Sequence, residues 1–131
     1  MSALEVTHLD VLHNIEQSIL AVHRQRFELS DYDVMRALDA LIAIYRAESR
    51  GHVPKQAKLE DPEAMIFERV RAVCEWRIGR AEMPTGCELV SGPEYGVDEI
   101  LDCLRKVRKS VDRWNKQGGP QGYLSFVSEY V

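Results

Sequence analysis

VDEILDCLRKVRKSVDRWNKQ, residues 97–117, decides the fold. Ile100, Leu101, Leu104, Val107, Val111 and Trp114 recur at steps of three and four, which puts them on one side of a helix. Most of the cations Arg105, Lys106, Arg108, Lys109, Arg113 and Lys116 fall on the other side. Gly118-Gly119 stops the helix, and Pro120 stands where a short last helix could begin.

The same period runs through most of the chain. From about Glu5 to Phe27, Leu12, Ile15, Ile19 and Val22 make one stripe, with Asp10, Asn14, Gln17, Ala21, Gln25 and Glu28 roughly opposite. Ser30-Asp31-Tyr32-Asp33 has the form of a capping box with Asp in place of Glu, and opens a second helix that runs to Arg50. Val34, Leu38, Leu41, Ile42 and Tyr45 face inward there, and Arg36, Asp39, Arg46 and Arg50 outward. Gly51 suits the left-handed position after the helix end. The short link between these two helices predicts an antiparallel hairpin. Asp61-Pro62-Glu63 predicts a third helix capped by Asp61 and running to about Gly79, with Ile66, Val70, Val73 and Cys74 inward. Between Arg80 and Gly96, two prolines and three glycines break the period and predict a long irregular loop. The expected fold is therefore all-α: one helical domain over 1–131, with a four-helix core of antiparallel helix hairpins and a short C-terminal fifth helix.

Composition agrees. The chain has 131 residues, 45% of them hydrophobic and 29% charged, which is the balance of a soluble globular chain. Its net charge of −4 disfavours nucleic acid and anionic lipid as partners of the whole molecule. Cys74, Cys87 and Cys103 are odd in number and form no Cys-x-x-Cys pair. With no basic or apolar leader at Met1–His8, they predict reduced thiols in a cytoplasmic protein.

Five features bear on function. Glu16 and His23 fall within the apolar stripe of the first helix, Glu48 on the inner edge of the second, and Arg77 at the centre of the third. Charges turned inward need partners or a wet cavity. These four residues are the candidate ligand-binding set, and Arg77 is expected to be buried against a carboxylate, Glu16 or Glu48. Glu5-Val6-Thr7-His8 has the Glu-x-x-His spacing of a metal ligand pair, but no second such pair completes a site. Glu60-Asp61-Pro62-Glu63 and Glu99-Ile100-Leu101-Asp102 are oxygen-rich, and first-turn acids also complement a helix dipole. No metal site and no cofactor is expected from either pattern. Arg105, Lys109, Arg113 and Lys116 make a basic face with no interleaved aromatic, which is not specific for nucleic acid. Tyr123, Leu124, Phe126, Val127 and Tyr130 are the candidate interface, because a short amphipathic helix must dock on something. The favoured expectation is a non-catalytic protein-interaction module that self-associates as a homodimer or binds another protein. The alternative is a small helical enzyme or ligand-binding protein with an anion- or metal-binding pocket between helices.

Overall fold

The computed structural model describes residues 3–25, 30–55, 58–84 and 95–117. They form four helices, α1 (Ala3–Gln25), α2 (Asp31–Ser49), α3 (Asp61–Ile78) and α4 (Val97–Gln117), with no strand among the described residues. The short fifth helix expected after Pro120 lies outside them, as does most of the Arg80–Gly96 segment.

α2 and α3 start and stop for local reasons. The Ser30 hydroxyl accepts the Asp33 N–H at 3.2 Å while the Asp33 carboxylate takes the Ser30 N–H at 3.0 Å, the capping box read from the sequence. Gly51 follows α2 at φ 72°, in the left-handed region that favours glycine. α3 starts one residue differently from expectation. Its cap is Glu60, not Asp61, because the Glu63 carboxylate reaches back to the Glu60 N–H at 3.2 Å.

The apolar stripes close one contiguous core. Leu12, Ile15, Ile19, Leu38, Leu41, Ile66, Val70, Ile100 and Leu104 are all essentially inaccessible. α4 is the most one-sided helix, with Ile100, Leu104, Val107 and Val111 buried and Arg105, Lys109 and Arg113 exposed. α1 is buried over a much wider arc that also takes in Asn14, Glu16 and Ser18. Asn14 was expected among the outward residues and is instead 1% exposed.

Helix pairing departs from the expected α1–α2 hairpin. The main contacts are α2 with α4, α1 with α3 and α2 with α3, followed by α1 with α4. α1 and α2 are therefore diagonal across the bundle. The five residues between Gln25 and Asp31 allow this. Extended, five residues reach about 17 Å, and the diagonal of a bundle with neighbours 8–10 Å apart is about 11–14 Å.

Side-chain pairs fix the directions. Arg36 near the start of α2 meets Glu63 near the start of α3, and Glu48 near the end of α2 meets Arg80 just after α3. α2 and α3 thus run parallel. Arg108 pairs with Asp39, and Ser49 donates to Asp98, so α4 runs antiparallel to α2. Parallel neighbours require a crossover. Residues 50–60 have to return the length of α3, about 27 Å at 1.5 Å per residue, and eleven residues can reach about 36 Å. Two thiols, Cys74 and Cys103, are fully buried in the core, and burial raises both, Cys103 to about 12.

Tyr45 is a polar group without a hydrogen bond in this core. It is 1% exposed, its hydroxyl has no partner among the described residues, and burial is the largest cause of its raised pKa. An unmade buried hydrogen bond costs about 1–3 kcal/mol. Tyr45→Phe is therefore expected to leave the protein as stable as before or more so. Urea unfolding checks this: a loss above about 1 kcal/mol would show that the hydroxyl has a partner in solution.

Candidate functional site

The buried face of α3 reads Glu63, Ile66, Val70, Val73, Cys74, Arg77. It is apolar in the middle and charged at both ends. An anion at the first turn and a cation at the last both complement the helix dipole. Glu63 is 5% exposed and Arg77 3% exposed. The two charges are met differently. Glu63 receives Arg36 Nε at 3.2 Å and the Glu60 N–H, so its charge is paired.

Among the described residues, Arg77 is not met by a carboxylate. Its Nη2 donates to Asn14 Oδ1 on α1 at 2.9 Å. Its guanidinium lies 4.2 Å from the Trp76 ring centre and 5.9 Å from that of Tyr95, both within cation–π range. Its Nε has no hydrogen-bond partner among the described residues. The Tyr95 N–H donates to the Arg77 carbonyl at 2.8 Å, so the chain returns beside Arg77 just before α4. Asn14 is held in turn, because the Ser18 hydroxyl donates to its backbone carbonyl at 3.0 Å. With its oxygen committed to Arg77, the Asn14 amide nitrogen is the side chain's remaining donor.

The four candidate residues are dispersed. Arg77 is buried as expected, but its hydrogen bond goes to an amide rather than to Glu16 or Glu48. Glu16 is buried, two residues past Asn14 and so about 200° further round α1, on the opposite side. His23 is half-buried nine residues along α1 from Asn14, a rise of about 13 Å. Glu48 pairs with Arg80, and that hydrogen bond holds its carboxyl below the ordinary value. Asn14, Trp76 and Tyr95 were missed. Asn14 falls about 120° from the centre of the α1 stripe, where a polar residue reads as outward. Tyr95 comes from the irregular segment, whose position no periodicity reveals.

The other candidates are located as follows. Tyr123, Leu124, Phe126, Val127 and Tyr130 lie outside the described residues, as does the side chain of Lys116. On α4, Arg105, Lys109 and Arg113 are exposed, while Arg108 and Lys106 pair with Asp39 and Asp102. Among the described residues, no three His, Cys, Asp or Glu side chains are grouped to hold a metal ion. No described helix is long and apolar enough to cross a membrane. Compared with protein families, curated proteins and solved structures, the chain matches none.

The Arg77–Asn14 pair predicts an asymmetry. Arg77→Leu strands a neutral buried acceptor and is expected to cost about 1–3 kcal/mol. Asn14→Leu strands a buried cation and is expected to cost more, about 3–5 kcal/mol. Denaturant unfolding of the two variants checks this, and the reverse order would show that Asn14 is not what holds the charge.

Proposed function

We propose that this is a small helical binding protein that takes a carboxylate at Arg77. The observation that supports the reading is a guanidinium 3% exposed that, among the described residues, has no carboxylate on it and an unspent Nε–H. Arginine's planar fork suits a carboxylate, which accepts two parallel hydrogen bonds. The Asn14 amide nitrogen is a neighbouring neutral donor, and Trp76 and Tyr95 supply aromatic walls beside the cation. A proton-coupled amide and backbone NMR titration with acetate and benzoate tests it. Saturable shifts are expected at Asn14, Trp76, Arg77 and Tyr95, with Arg77→Lys weakening binding at least tenfold, because an ammonium lacks the fork. A flat titration, or equal binding by Arg77→Lys, refutes the reading.

A second reading, a self-associating interaction module, draws on α4. Arg105 and Lys109 are exposed and, among the described residues, without an ion pair, on a chain whose net charge is −4. That face complements the acidic surface of a second copy. In this reading Tyr123, Leu124, Phe126, Val127 and Tyr130 supply the apolar part of the contact. Light scattering during size exclusion is expected to show a dimer that weakens as salt rises. A species of 15.0 kDa at low and high salt ends the reading.

A further inference from the structure

The start of the crossover builds a separate feature, independent of Arg77. After Gly51, the His52 N–H donates to the Ala47 carbonyl at 2.8 Å, so the chain turns back alongside the last two turns of α2. An open groove of about 290 Å³ lies between them. Ala43 and Ala47 form its floor, and their small side chains leave the space. Val53, 91% exposed, and Pro54 give it an apolar wall. Arg46, Arg50 and Lys55 converge on it, with His52 beside them.

These cations are not explained by the fold. All of Arg46, Arg50, His52 and Lys55 are exposed, and none has an ion pair among the described residues. The carboxylates at this end of α2 are engaged elsewhere, Glu48 by Arg80 and Asp98 by the Ser49 hydroxyl. The helix dipole does not require them either. It amounts to about half a negative charge at the C-terminus, against three permanent cations. The last carbonyls of α2 are already capped, since the N–H groups of Arg50, Gly51 and His52 bond those of Arg46, Ala47 and Glu48. Three like charges around one groove repel, on a molecule that is acidic as a whole.

We infer that this groove binds the phosphate group of a small organic phosphate. Two guanidiniums and an ammonium supply the several donors that a phosphate's terminal oxygens take, Arg as forks and Lys as a point charge. The apolar wall of Val53 and Pro54 faces the remainder of the ligand.

The test is an NMR titration of the full chain with inorganic phosphate and with adenosine 5′-monophosphate, against sodium chloride at matched ionic strength. Saturable shifts confined to residues 43–55 are expected with both phosphates and absent with chloride. Tighter binding of the nucleotide shows that the wall is used. Arg46→Gln with Arg50→Gln is expected to weaken binding at least tenfold with the thermal transition unchanged. The single variant Lys55→Gln, remote from the helix end, gives the same direction should the double variant lose stability. The inference is overturned by shifts that track ionic strength alone, by binding that both variants retain, or by binding that Arg77→Leu abolishes, which would place the anion at Arg77 instead.

Discussion

A buried cation held by a neutral amide organises one end of this bundle. Arg77 ties the end of α3 to the first half of α1 through Asn14, and its carbonyl receives the chain again at Tyr95 before α4 starts. Three segments far apart in sequence therefore meet at one guanidinium. Desolvating an arginine is costly, and one amide oxygen with two aromatic rings offsets the charge less completely than a carboxylate would. Its position in the last turn of α3, where the helix dipole favours a cation by up to about 2 kcal/mol, offsets part of that cost.

The opposite end of α3 shows the conventional solution. Glu63 is as deeply buried, yet it has Arg36 from α2 and a backbone N–H of its own helix turn. The contrast between the two ends is what singles out Arg77. The pairs Arg36–Glu63 and Glu48–Arg80 also record that α2 and α3 run parallel, a relation that the apolar stripes do not reveal.

Much of the fold was legible because helix periodicity is a local property. The stripe Ile100–Leu104–Val107–Val111 and the Ser30–Asp33 capping box could be read within a few turns of chain. The inward place of Arg77 was legible for the same reason. Its partner was not, because Asn14 lies on another helix and off that helix's apolar stripe, where burial depends on how many neighbours the helix has. α1 packs on both α3 and α4, and this widens its buried arc beyond the four apolar positions that define the stripe. The diagonal relation of α1 and α2 was invisible too, since a short link is equally compatible with neighbours and with a diagonal. The candidate interface residues near the C-terminus lie outside the described residues.

The parallel setting of α2 and α3 bears on how the chain acquires its structure. Of the four closely packed helix pairs, only α2–α3 joins consecutive helices, and those two are linked by a crossover rather than a turn. There is no helical hairpin in the described bundle that could form first and serve as a template. Three of the four close pairs must wait for a non-neighbouring helix, and the loop-closure entropy is lost before those contacts form. Most helical bundles of this size draw on local contacts and fold quickly. This one draws its main described contacts largely from helices that are not neighbours in sequence, which favours slower folding than in a bundle of helical hairpins of the same length.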